Sequence, residues 1–218
     1  MTPAHLVAHA PRSEQLRALL ERRILVIDGA MGTMIQGYKL GEREFRGTQY
    51  RDHGTDVRGC SDILSVTQPQ IIEAIHTAYL QAGADIIETN SFTATRIALA
   101  DYTLEAEAYA INKAAAACAR RAVDALGEAG QGRFLAGFIG PTNRTASISP
   151  DVNDPGARNV TFEQLAATYE EAARGLVDGG ADILMIETIF DTLNAKAAIF
   201  AVESLFDALG RRLPVMIS

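Results

Sequence analysis

The sequence predicts an α/β fold of successive parallel βα units, a (β/α)8 barrel represented by about its first five units. Three observations lead there. Five short apolar runs alternate with longer segments of helical period. Residues able to do chemistry recur where those runs end, as at the carboxyl ends of barrel strands. Finally, Gly83-Ala-Asp-Ile-Ile-Glu-Thr89 returns as Gly180-Ala-Asp-Ile-Leu-Met-Ile-Glu-Thr188. The second copy is longer by two residues, which preserves the in/out alternation of a strand. A doubly wound dinucleotide fold would need G-x-G-x-x-G opening a helix after the first strand. Here Gly29 and Gly32 are spaced G-x-x-G and a long polar segment follows.

Taken in order, Ser13 to Arg23 reads as a short helix capped by Ser13, with Leu16, Leu19 and Leu20 at helical spacing. Ile24-Leu25-Val26-Ile27 reads as a strand buried on both faces. Residues 28–68 are polar, Gly-rich and weakly periodic, a long functional or mobile loop. Pro69 opens a helix whose stripe is Ile71, Ile72, Ile75 and Tyr79 and which Gly83 ends. Asp85 to Thr89 is the second strand, and Thr103 is expected to cap a helix from Leu104 to about Leu126. Arg133 to Gly140 is the third strand. Thr161-Phe-Glu-Gln164 matches a capping box ahead of a helix through Val177. The fourth strand ends at Glu187, Asp191 caps a helix to about Leu209, and Leu213 to Ser218 begins a fifth strand. Five strands do not close a barrel of eight, so the sequence is expected to be a truncated piece. Residues 1–23 are read as an N-terminal helical extension and 24–218 as the partial barrel.

Composition narrows the function classes. The chain has 218 residues, 48% hydrophobic, with formal charge -7, which disfavours a nucleic-acid surface built on phosphate attraction. No apolar run is long enough for a membrane span, and the first 12 residues have no secretory h-region. Two cysteines, Cys60 and Cys118, cannot form a disulfide framework. A cytoplasmic protein is expected.

The strand ends collect Asp28; Glu88, Thr89, Asn90 and Ser91; Gly140, Pro141 and Thr142; and Glu187 and Thr188. Sharing one mouth, they would suit a small zwitterion such as an amino acid: carboxylates for the ammonium, hydroxyls and backbone N–H groups for the carboxylate. Each residue alone has a plainer reading. A strand-end acid often caps the next helix, Asp28-Gly29 is also a turn signal, and Glu88 could point outward into a helix layer. His5 and His9 lie four apart without a third ligand, and Cys60 and Cys118 sit in unrelated settings, so no metal site is expected within the chain.

Five segments carry a resemblance: Asp28-Gly-Ala-Met-Gly-Thr33, Gly83 to Asn90, Gly140-Pro-Thr-Asn-Arg-Thr-Ala-Ser147, Ser149-Pro-Asp-Val-Asn-Asp-Pro155, and Glu187-Thr-Ile-Phe-Asp-Thr-Leu-Asn-Ala-Lys196. Together they closely resemble the homocysteine-binding module of the cobalamin-dependent methionine synthases, over nearly all of Ile24 to Ser218. The resemblance implies a TIM barrel of the homocysteine S-methyltransferase type. It also implies zinc that activates the homocysteine thiol and a methyl group taken from methylcobalamin, which methyltetrahydrofolate recharges. By position it puts Asp28 and Glu187 at the homocysteine ammonium, with Asn90 on the same mouth and Gly140, Pro141 and Thr188 near the carboxylate. The family's zinc-binding cysteines fall beyond Ser218, so the resemblance assigns this chain no metal ligand and no catalytic residue. Its expected partners are homocysteine and the remaining barrel, folate and cobalamin modules, and alone it is expected to be inactive. A betaine- or S-methylmethionine-homocysteine methyltransferase and a non-catalytic amino-acid-binding module are the alternatives.

Overall fold

The structure, a computed structural model, describes residues 8–9 and 11–218. In chain order its elements are β1 (Ala8–His9), α1 (Pro11–Leu20), α2 (Met31–Gly37), α3 (Glu42–Arg46), α4 (Leu64–Thr67), α5 (Pro69–Ala82) and β2 (Ile86–Glu88). There follow α6 (Arg96–Leu99), α7 (Ala108–Asp124), β3 (Phe134–Ile139), α8 (Phe162–Asp178), β4 (Ile183–Ile186), α9 (Thr192–Leu209), β5 (Arg211–Arg212) and β6 (Val215–Ile217).

The main sheet runs β2-β3-β4-β6, every pair parallel. Residues 25–28 lie beside β2 as a fifth, outermost segment. Ile27 bridges Ile86 in parallel, Ile86 N donates to Val26 O at 3.1 Å, and Asp28 N donates to Ile86 O at 2.9 Å. The strands therefore add in chain order. A doubly wound sheet reverses direction at a switch point, whereas successive units of a (β/α) barrel do not. The helices agree: α5 packs on α7, α7 on α8 and α8 on α9, forming one layer.

Period-two alternation separates the two sheet faces. Ile87, Leu135, Ile139, Leu184 and Ile186 face that helix layer and are buried with Leu165, Leu176, Val202 and Phe206. Ile86, Phe134, Ala136, Phe138, Ile183 and Met185 face the other way and cluster with Leu16 of α1. Helix α1 thus supports the concave side near the strand entries.

The same entries hold two ion-pair knots, each built on a buried aspartate. Asp85 lies 2.7 Å from both Arg23 and Arg133 and accepts Val26 N at 3.0 Å. Asp182 lies 2.6 Å from both Arg12 and Arg120 and accepts Leu135 N at 3.0 Å. The Asp of each repeated Gly-Ala-Asp unit is therefore a structural anchor that fastens a strand to its neighbours.

Several local expectations hold. Helix α5 starts at Pro69 and stops at Gly83, whose φ of 109° is left-handed and suits glycine. The Thr161/Gln164 capping box forms reciprocally, and Asp191 caps α9. Others are corrected. Ser13 lies inside α1, which begins at Pro11. Ile24 and Val26 are 88% and 57% exposed, because alternation turns them away from the Leu16 cluster that Leu25 and Ile27 join. Thr103 takes a left-handed φ of 56° and closes the preceding 3-10 turn, its N–H donating to Ala100 O at 3.1 Å, instead of opening α7; its hydroxyl meets Thr55 Oγ1 at 3.0 Å, and α7 starts only at Ala108. The polar stretch 28–68 contains α2, α3 and α4. Glu42 secures it by accepting Val57 N at 2.9 Å and Arg58 N at 2.7 Å. Among the described residues, no helix is long and apolar enough to cross a membrane.

Candidate functional site

Three carboxylates stand at the carboxyl ends of the strands. Ile86 and Glu88 are two apart on β2, and Met185 and Glu187 are two apart at the end of β4. Both acids therefore follow the concave-face residues. Glu88 accordingly points inward and not into the helix layer. Asp28 closes the outermost segment, and its Oδ1 accepts Glu88 N at 3.0 Å.

The electrostatics of this end are those of acids without cations. Burial pushes Asp28 up to about 7, against the pull of the Glu88 N–H. Burial pushes Glu88 up to about 7 as well, and the nearby charge of Glu187 adds to it. Glu187 Oε2 is buried and has no hydrogen-bond partner among the described residues. None of the three forms an ion pair among those residues, whereas Asp85, at the entry of the same strand as Glu88, contacts two arginines.

Asp28, Glu88 and Asn90 line a cleft of about 350 Å³ with Met31, Asp62 and Phe138, within the size range of small-ligand sites. Gly140, Pro141, Glu187 and Thr188 gather around an adjacent hollow of only about 10 Å³. The six residues singled out from sequence thus fall into two groups, linked by the repulsion between Glu88 and Glu187. Glu88, which the sequence places at a strand end but leaves free to point outward, lines the cleft with Asp28. Its counterpart in the repeat, Glu187, is the sequence signal for the inward direction.

Most hydroxyl and amide groups here hold the strand ends together. Thr89 Oγ1 accepts Phe138 N at 2.8 Å, and Ser91 Oγ donates to Phe138 O at 2.7 Å. Asn90 Nδ2 donates to Ser61 O at 2.7 Å, pinning the loop that carries Asp62. Asp62 itself accepts Thr93 N at 3.0 Å. Gly140 permits a close crossing, since a Cβ there would lie 2.1 Å from Phe92 O. The Phe92 ring in turn stacks on Phe138 at 5.4 Å. Thr188 has a φ of 59°, a left-handed conformation costly for a β-branched residue and of the kind found at functional sites.

A zinc centre does not fit these residues. Among the described residues no three His, Cys, Asp or Glu side chains converge to hold a metal. Cys60 and Cys118 are buried in the core, and burial pushes their thiols up to about 12 and about 11, away from the thiolate a metal needs. His5 lies outside the described residues.

The model of a family described as homocysteine S-methyltransferase matches residues 25–218, nearly the whole chain. The chain belongs to the homocysteine S-methyltransferase family. Among solved structures it is similar to the homocysteine methyltransferase MmuM from Escherichia coli. The oxidized and metallated forms each match at 27% identity and a TM-score of 0.68, covering 94% of this chain and 65% and 66% of theirs. The apo form, at 23% identity and a TM-score of 0.63 over 94% of this chain and 63% of that one, supports the fold alone. The chain thus spans about 65% of the length of the solved relative it matches. Membership makes this a methyltransferase-family fold with a parallel sheet like that of a homocysteine methyltransferase barrel; it does not distinguish methyl donors.

Proposed function

We propose that this chain is the homocysteine-binding part of a homocysteine S-methyltransferase, comprising the first five units of its barrel, and that Asp28, Glu88 and Glu187 receive the substrate's ammonium. The observation that carries this reading is the set of three carboxylates at the strand exits, partly buried and without an ion-pair partner among the described residues. An ammonium entering the cleft would relieve their mutual repulsion and draw Asp28 and Glu88 into their charged forms. The Gly140–Pro141 turn and Thr188, next to Glu187, would then face the substrate's carboxylate end. The zinc and the methyl donor lie, in this reading, on parts of the enzyme outside these residues, and no step of the binding described here runs through them.

Calorimetric titration of the chain with homocysteine tests the proposal. Affinity is expected to rise between about pH 6 and pH 8, as Asp28 and Glu88 ionise around pH 7, and to fall at least about tenfold in Glu187→Gln, the loss of one charge-assisted contact. Equal affinity at both pH values and in the variant would sink it.

The methyl donor we propose is methylcobalamin, on the strength of the segments Gly140–Ser147 and Glu187–Lys196. Betaine and S-methylmethionine are equally consistent with the family match. Assaying the whole enzyme with each donor separates them.

A further inference from the structure

Two segments stand out in the sequence on the loops after β3 and β4, yet the proposed site uses only their first residues. The rest of the second segment grips the first. Asp191 and Asn194 are each 4% exposed. Asp191 Oδ1 accepts Leu193 N at 2.8 Å and Asn194 N at 3.3 Å, an ordinary helix cap for α9. Its second oxygen does something a cap does not require: it accepts Ser147 N at 2.9 Å from the other loop.

Asn194 completes the grip. Its Oδ1 accepts Ala146 N at 3.0 Å, while its Nδ2 donates to Thr142 Oγ1 at 3.1 Å and to Arg144 O at 2.8 Å. Thr142 Oγ1 also donates to Arg144 O at 2.6 Å, which closes the turn on itself. On its other side the turn meets the Phe92 backbone, where Gly140 leaves no room for a Cβ. The turn Gly140-Pro141-Thr142 is therefore held from both flanks, and the gripping residues begin four positions after Glu187 on the same rigid strand exit.

We propose that Asp191 and Asn194 are positioning residues, which fix the Gly140–Thr142 turn against Glu187 and Thr188 and so set the spacing with which the site holds an α-amino acid. This rests on the function proposed above. Neither residue contacts the ligand in this scheme; each acts through backbone groups of residues 142–147. Such placement matters because a shift of about 1 Å in a supporting element costs binding geometry even when the contacting residues are intact.

The test uses Asp191→Ser, which keeps a good helix cap but cannot reach Ser147, and Asn194→Ala, which removes the remaining contacts. Homocysteine affinity by calorimetry, thermal midpoint, and amide exchange at Ala146 and Ser147 are measured on each. In Asp191→Ser we expect faster exchange at Ser147, a midpoint within about 2 °C of the parent, and affinity weaker by about tenfold. Asn194→Ala should show the same loss with faster exchange at Ala146. Faster exchange with unchanged homocysteine affinity in both variants would overturn the inference, leaving the grip purely structural. Unchanged exchange would overturn it too, by showing that these side chains do not hold the turn. A parent chain that binds no homocysteine would instead refute the proposed function, while the exchange data would still decide whether the grip exists.

Discussion

Replacing Glu88 by Gln should make the ligand-free chain more stable and its site worse. Burial, with the Glu187 charge, lifts the Glu88 carboxyl from 4.5 to about 7. A group whose folded value exceeds its unfolded value contributes most below the unfolded value. That contribution is lost as pH rises through the folded one. At pH 8 the folded chain therefore carries an ionised Glu88 that it accommodates poorly. The shift of roughly 2.5 units corresponds to about 3 kcal/mol at about 1.4 kcal/mol per unit. Glu88 is only half-buried, so solvent screening reduces this to roughly 1–2 kcal/mol. In a domain of this size that is a rise of about 3–6 °C in thermal midpoint. Near pH 5 the folded parent already holds a neutral Glu88, so the variant should gain almost nothing there. Differential scanning calorimetry at the two pH values, paired with homocysteine titration, reads both halves of the claim. A variant no more stable than the parent at pH 8, or one equally stabilised at pH 5, would refute the account of a desolvated, repelled carboxylate.

Further outcomes follow from the same geometry. Asp85→Asn should cost about 2 kcal/mol near neutral pH, because it leaves Arg23 and Arg133 without their shared acid; both arginines are partly exposed, which keeps the loss below that of a fully buried pair. Asp85 is held down at about 2, chiefly by the Arg23 hydrogen bond, so its contribution is present above the ordinary carboxylate range and lost as pH falls toward 2; acid denaturation should begin at higher pH in the variant. Gly140→Ala should destabilise the chain by about 1–3 kcal/mol and weaken homocysteine binding, since the added methyl meets the Phe92 main chain and not a movable side-chain tip; calorimetry checks both. Cys60 and Cys118 should resist maleimide at neutral pH in the native chain and react on unfolding in urea, as burial raises both thiols to about 12 and about 11; rapid native labelling of either would contradict the packing described.

What the sequence made legible was whatever short-range chemistry decides. Helix α5 has its Pro69 start and Gly83 stop, α8 its capping box and α9 its Asp191 cap, and each forms where those signals stand. Residues 24–27 show the limit. Their apolar run matches those of the central strands, yet Ile24 and Val26 are exposed, because burial depends on what lies alongside and not on the run itself. Residues 28–68 look unstructured for a related reason. Their order comes from long-range side-chain-to-backbone bonds, such as Glu42 to Val57 and Arg58 or Gln68 to Glu44 O, which leave no period in the sequence. At the site, residue types were visible but directions were not. Nothing in Thr89, Asn90 or Ser91 announces that the two hydroxyls bond the neighbouring strand at Phe138 while the amide pins the loop at Ser61.

The repeated unit Gly-Ala-Asp, apolar run, Glu-Thr resolves into two acids with opposite duties. Asp85 and Glu88 are three residues apart on one strand, roughly 10 Å by strand geometry. Asp85 is held down at about 2 and Glu88 is pushed up to about 7. Burial opposes ionisation at both; it prevails at Glu88 and is overcome at Asp85. At the strand entry two guanidinium groups outweigh burial; at its exit burial is reinforced by the Glu187 charge, and no cation pairs with Glu88 among the described residues. Asp182 repeats the arrangement on β4 with Arg12 and Arg120, and Glu187 repeats the bare exit. A strand fastened at its entry by ion pairs can hold an unsatisfied acid at its far end without moving to relieve it, as the division of a barrel into a stabilising and a functional face requires. The cation missing from each exit is then what the proposed ammonium would supply. That makes one comparison decisive: homocysteine should narrow the stability gap between Glu88→Gln and the parent at pH 8, because the ammonium meets three acids in the parent and only Asp28 and Glu187 in the variant.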